Sequence, residues 1–171
     1  MTLLDLISER SIIIGLRGTT KRSIIEELVG AIDANQIAEE LVGAIDANQI
    51  AGRGRVLESV LQREGIMSTG IGHGIAIPHG KSEAVKVLSG VLGIKREGVD
   101  FESLDGQPAY IFFLLVSPAD VSGPHIKALA RISRLLKGEE FRKALIQAQT
   151  SQDILSIIAE EEKRHPVSAA S

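Results

Sequence analysis

The sequence predicts a single α/β domain with a mixed β-sheet of about four to five strands, flanked by helices and followed by a helical C-terminal third. Three observations carry this expectation. Short apolar runs such as SIIIGL, KVLSGVLGI and YIFFLLV have the length and composition of buried strands. Between them lie segments whose apolar residues recur every three or four positions, as amphipathic helices require. The last two strand-like runs are joined through VDFESLDGQP, whose Asp105-Gly106 pair is a turn signal, so those two strands pair antiparallel and the sheet is mixed.

Taken in order, residues 11–16 form the first expected strand. Residues 19–32 follow as a helix, with Ile24, Ile25, Leu28, Val29 and Ile32 on one stripe. Thr19, Thr20 or Ser23 can cap it, and Ser23 with Glu26 has capping-box spacing. The segment EELVGAIDANQIA at residues 26–38 then recurs unchanged at residues 39–51. A period this short is not that of a solenoid, whose repeats run about 20 to 50 residues. On one continuous helix the second copy's apolar stripe would be rotated by about 140° from the first, so one straight helix cannot bury both. The expectation is a helix through about Ile32, a break near residues 33–36, and the second copy as a short extra helix or loop with no function of its own. Identical side chains competing for one docking site also make alternative registers conceivable.

Residues 55–63 carry Val56, Leu57, Val60 and Leu61 on one helical side, with Gly65 as a stop signal. Ile75, Ala76 and Ile77 read as a short buried strand ended by Pro78, which cannot donate to a sheet ladder and leaves His79 at the strand end. Residues 86–94 and 110–116 are the later strands, and Pro118 ends the second. A helix starting with Ser122-Gly123-Pro124 runs to about residue 137, and residues 139–148 and 151–162 complete the helical part. The domain is expected to occupy residues 1–162, with 163–171 as a frayed tail.

Composition narrows the function. A chain of 171 residues with 44% hydrophobic and 24% charged residues can build one real core. A net charge of -3 and 3% aromatics give little support for nucleic-acid binding, so a small ligand or protein partner fits better. No cysteine is present, which excludes disulfides, thiolate zinc sites and cysteine nucleophiles. The start MTLLDLISER lacks the pattern of a signal peptide, and no apolar run nears the roughly 18 residues of a membrane span, so a cytoplasmic protein without membrane insertion is expected.

The candidate chemistry centres on histidine. A neutral imidazole is nucleophilic near pH 7, which suits His79 to acid–base work, metal ligation or carriage of a phosphoryl group. The alternative is a loop histidine without a role. GIGHG does not fit the G-x-G-x-x-G dinucleotide loop and precedes a strand rather than a helix. His73, His79 and His125 lack the spacing of a helical metal pair and no HExxH is present, so a metal-dependent hydrolase is only a distant alternative. His125 follows Pro124 in the first turn of a helix, where outward N–H groups and the macrodipole favour an anion. By itself it also fits a solvent-facing histidine, as Arg63 fits an ordinary helix-end charge.

STGIGHGIAIPHGK, residues 68–81, resembles the active-site signature of the type-2 enzyme IIA proteins of the bacterial sugar phosphotransferase system, the fructose, mannitol and nitrogen-regulatory group. The likeness runs from TLLDLI to DILSII, with local departures at GIM before the Ser-Thr pair and at the duplication. It implies that His79 is the phosphorylated histidine, that His125 in PHIKALARISRLL is the second active-site histidine, and that Arg63 of the LxRE segment holds phosphoryl oxygens. Backbone donors at Ser68, Thr69 and Gly70 would bind phosphate, with no metal and no cofactor. The implied donor is a histidine-containing phosphocarrier protein. The implied recipient is a transporter or kinase regulated in a nitrogen branch, or an enzyme IIB for fructose, mannitol or a similar sugar. Among these, the free-standing nitrogen-regulatory members are the nearest in organisation.

Overall fold

The computed structural model describes residues 1–37 and 45–167, and for residues 45–50 the backbone alone. After two 3-10 turns at Leu3–Asp5 and Glu9–Ser11, the chain forms β1 (Ile12–Ile14), α1 (Lys21–Gly30), a 3-10 turn (Ala34–Gln36) and α2 (Ile45–Ile66). It continues through β2 (Gly70–Gly72), β3 (Ile75–Ala76), β4 (His79–Lys81), β5 (Ser89–Val99) and β6 (Ala109–Ser117). Three helices, α3 (Gly123–Leu136), α4 (Glu139–Gln147) and α5 (Ser151–Arg164), complete it.

The α/β class, the mixed sheet and the helical C-terminal part are as expected, but the sheet has six strands rather than four or five. Its order is β1-β5-β6-β3-β2, with β4 also on β6. β5 and β6 are antiparallel, whereas β1 lies parallel to β5, and β3 and β4 lie parallel to β6. Pro78 interrupts an edge rather than ending it. It has no N–H to give, but its carbonyl accepts the Leu115 N–H at 3.0 Å, so the chain stays on β6 and His79 opens the next strand opposite Leu115.

β6 shows why the sheet runs read as uniformly apolar. Ile111, Phe113 and Leu115 face one core with α3, α4 and α5, while Phe112, Leu114 and Val116 face a second core under α1 and α2. A strand covered on both faces needs no polar alternation.

α1 is capped by Thr20, whose side chain accepts the Ser23 N–H in a Thr20–Ser23 capping box, not by the Ser23–Glu26 pair. It buries Ile24, Ile25, Leu28 and Val29 and breaks before the 3-10 turn, as the rotated stripe requires. The second copy of the duplication departs from expectation. From Ile45 onward it is the N-terminal part of α2, which runs through Gly52 and Gly54 and past Gly65 to Ile66. The apolar stripe of residues 56–61 docks on the sheet, and the helix it nucleates outweighs the roughly 1 kcal/mol that each glycine costs. Residues 38–44 of the duplication and 168–171 of the expected tail lie outside the described residues. α5 extends two residues beyond the expected domain end, to Arg164.

Candidate functional site

His79 stands where β4 begins, half-buried, with its ring Nδ1 2.8 Å from the carbonyl oxygen of Ile77. A carbonyl only accepts, so Nδ1 carries the proton and Nε2 keeps its lone pair. Among the described residues Nε2 has no hydrogen-bond partner. Burial lowers the His79 pKa from its ordinary value and the Arg63 charge lowers it further, against the opposing effects of the Ile77 bond and Glu64. The ring is thus held neutral and nucleophilic near pH 7.

Gly80 explains how α2 comes so close. A Cβ there would meet the backbone N of Val60 at 3.1 Å, so the absence of a side chain lets the helix lie directly on β4. That contact brings the last turn of α2, with Arg63, beside His79. The Arg63 guanidinium donates from Nη1 to the Met67 carbonyl at 2.8 Å, which folds it over the turn after the helix.

His125 lies in the first turn of α3, after Pro124, and is 4% exposed. It is not the solvent-facing residue that its position in sequence also allowed. Its Nδ1 is 2.6 Å from the hydroxyl oxygen of Ser117, the last residue of β6, and its ring centroid is 5.7 Å from that of His79 at an interplanar angle of 57°. Burial, then the nearby His79 and Lys81, push its pKa down to about 4, so it is neutral at pH 7. Lys81, on the same strand as His79, donates to the Ser122 hydroxyl at 2.7 Å and ties β4 to the start of α3.

Of the backbone donors at Ser68, Thr69 and Gly70 that the resemblance implies for phosphate, those of Thr69 and Gly70 are bonded within the chain. The Thr69 N–H donates to Glu64 at 3.0 Å, the Gly70 N–H donates to the Ser68 hydroxyl oxygen at 3.1 Å, and that hydroxyl donates to the Phe101 carbonyl at 2.7 Å. These donors are spent within the chain and frame the site. Exposed Ile66, Met67 and Ile71 flank this segment, and Ile126 lies beside His125.

Sequence reasoning missed Ser117, Lys81 and Glu64. Ser117 and Lys81 gave no local signal. Glu64 did, since it falls on the helical stripe of Val56, Leu57, Val60 and Leu61, and a carboxylate on a buried stripe needs a partner. Among the described residues no group of three or more histidine, aspartate or glutamate side chains can hold a metal ion, and no helix is long and apolar enough to cross a membrane.

Comparison with known proteins shows the family and the fold. The family described as the phosphoenolpyruvate-dependent sugar phosphotransferase system, EIIA 2, matches residues 5–161. A nitrogen regulatory protein of Bradyrhizobium diazoefficiens is 36% identical over 159 residues, covering 93% of this chain and 95% of that protein. The fructose-specific EIIABC component of Bacillus subtilis is 35% identical over 164 residues, and the match covers 95% of this chain but 24% of that protein. In fold, the chain is similar to the nitrogen regulatory protein IIA-Ntr of Neisseria meningitidis, with a TM-score of 0.76 at 24% identity, covering 90% of this chain and 97% of that one.

Proposed function

This chain belongs to the type-2 EIIA family of the phosphoenolpyruvate-dependent sugar phosphotransferase system, and from that premise we propose that it carries a phosphoryl group on Nε2 of His79. The observation that carries the reading is the hydrogen bond from Nδ1 to Ile77, which leaves Nε2 as the nucleophilic nitrogen on a half-exposed ring. The Nε2 lone pair attacks the phosphorus of a phosphohistidine on a histidine-containing phosphocarrier protein. The new N–P bond forms as the donor's N–P bond breaks, and the electron pair of that bond returns to the donor imidazole. The positive charge that the His79 ring gains is stabilised by the Ile77 carbonyl. Transfer of this kind is largely positioning and charge stabilisation.

Arg63 supplies a permanent charge and a planar fork for the phosphoryl oxygens. His125, neutral and buried, is a donor rather than a second acceptor of phosphate. We read the Ser117 hydroxyl, 2.6 Å from Nδ1, as the donor of that contact, which puts the His125 proton on Nε2 and makes it available to a phosphoryl oxygen. Ser68, Thr69 and Gly70 hold the rim that carries the exposed Ile66, Met67 and Ile71, an apolar border suited to a protein donor docking in the cytoplasm.

We assign the phosphorylated chain a regulatory role in a nitrogen branch, where two negative charges at His79 change which transporter or kinase it binds. Support comes from the Bradyrhizobium nitrogen regulatory protein, which matches over nearly the whole of both chains. The fructose-specific relative favours a second reading, transfer onward to an enzyme IIB. Incubation with phosphoenolpyruvate and the general phosphocarrier proteins should place acid-labile phosphate on the wild type and none on His79→Ala. Label that persists in His79→Ala removes His79 from its role. Rapid transfer from the labelled chain to a sugar-specific IIB domain would decide for the transport reading.

A further inference from the structure

Glu64 is a buried carboxylate that the proposed transfer does not use. It is 5% exposed and nonetheless fully partnered: Oε1 lies 2.9 Å from Lys21 Nζ and accepts the Thr69 N–H at 3.0 Å, and Oε2 accepts the Thr69 hydroxyl at 2.5 Å. Lys21 starts α1 and also lies over the Phe101 ring, 5.2 Å from its centroid. One carboxylate thus ties the start of α1, the end of α2 and the segment leading to β2.

The bonds continue to the reacting ring. The Thr69 carbonyl accepts the Ile77 N–H at 3.0 Å, and the Ile77 carbonyl accepts the His79 Nδ1–H at 2.8 Å. Glu64, Thr69, Ile77 and His79 form one unbroken series in which each residue fixes the next. Arg63, adjacent to Glu64, is folded onto the same turn through Met67.

We propose that Glu64 is the positioning residue of the site: it holds the His79 ring with Nε2 outward and holds the Arg63 turn beside it. This rests on the reading of His79 as the phosphoryl-carrying residue. A structural ion pair alone would tie α1 to α2, but it would have no reason to engage both donors of Thr69. The charge reaches His79 as well. Arg63 and Glu64 of α2 both act on the ring and His125 of α3 stands 5.7 Å from it, with Glu64 the one anion among them, while Lys81 of its own strand acts on His125 and bonds Ser122.

The test uses the full chain as wild type, Glu64→Gln and Thr69→Val. Two readouts are needed: the rate of transfer from the phosphorylated phosphocarrier protein across pH, and the nitrogen NMR titration of the His79 ring, which requires no phosphate. Glu64→Gln should transfer about tenfold to a hundredfold more slowly at saturating donor, with KM little changed, as expected for a displaced reacting group. Removal of the anion should also move both the acid limb of the rate profile and the ring titration to lower pH. Thr69→Val, which keeps the charge, should slow transfer by a smaller factor and leave the titration in place. A Glu64→Gln protein that transfers at the wild-type rate, or slowly with its acid limb and titration unmoved, overturns the proposal. If Glu64→Gln does not fold, Thr69→Val decides, and a wild-type rate in it is equally fatal. Wild-type protein that takes no label while its ring titration still responds to Glu64→Gln would overturn the proposed function and leave the positioning role standing.

Discussion

Protonation of His125 should destabilise this protein as the pH falls below 6.5. The ring is 4% exposed and its pKa is pushed from 6.5 to about 4. A histidine whose pKa is lower in the folded chain stabilises the fold fully above its unfolded value, near 6.5, and loses that contribution as pH falls toward 4. At 1.36 kcal/mol per pH unit the whole interval is worth about 3 kcal/mol, of which about 2 kcal/mol is lost by pH 5. Against a typical stability of about 5–15 kcal/mol this is a large share. The assay is urea unfolding of the wild type and of His125→Gln, which cannot titrate, at pH 7.5 and pH 5. The wild type should lose about 2 kcal/mol more than the variant over that interval. Stability curves that run parallel for the two proteins would refute the burial argument, because every other titrating group is common to both.

Ser117→Ala removes the hydroxyl that, 2.6 Å from Nδ1, fixes the His125 tautomer; transfer measured by rapid quench should slow about tenfold, equivalent to about 1.4 kcal/mol, while label still appears on His79. Gly80→Ala drives a methyl group against the Val60 backbone at 3.1 Å. It should lower stability by about 1–3 kcal/mol in denaturant unfolding and slow transfer by displacing Arg63, whereas Gly54→Ala, with open space at its Cβ, should do neither. Excision of residues 39–51 joins Ala38 to Gly52 and leaves the first copy to supply the start of α2. Residues 34–37 should then give NMR chemical shifts of continuous α-helix, and shifts unchanged from the 3-10 turn would count against the docking of α2 as the cause of its N-terminal extension.

The parts of the molecule legible in the sequence are those set by local chemistry or by a period. The stripe of Ile24, Ile25, Leu28 and Val29 required a buried helix face, and the turn at Asp105-Gly106 joined two long strands. β2 and β4 were missed because Gly70-Ile71-Gly72 and His79-Gly80-Lys81 carry no apolar run, unlike the equally short β1 and β3. His79 was legible from its flanks, Pro78 and Gly80. The burial of His125 was not, since nothing around it in sequence announces that β6 ends against it with Ser117. The Thr69 N–H and the Ser68 hydroxyl turn inward because their partners Glu64 and Phe101 meet them only in the folded chain, and the Gly70 N–H then bonds the Ser68 hydroxyl oxygen.

By itself, the sequence determined the α/β class and the buried character of the long strands. These follow from side-chain periodicity and composition, which any fold of the chain must obey. Conformation at the duplication was decided by tertiary structure alone. IDANQI bends into a 3-10 turn at residues 32–37, where Ile32 and Ile37 are buried and Ile37 bridges Val85, yet the same six residues at 45–50 are α-helix continuous with the stripe that packs on β4. Local preferences are identical in the two copies and worth at most about 1 kcal/mol per residue, whereas burying one isoleucine is worth about 1.5–3 kcal/mol. Packing at Ile32 and Ile37 and along residues 56–61 therefore outweighs local preference, and the same kind of packing brings Arg63, His79 and His125 together from three separate elements.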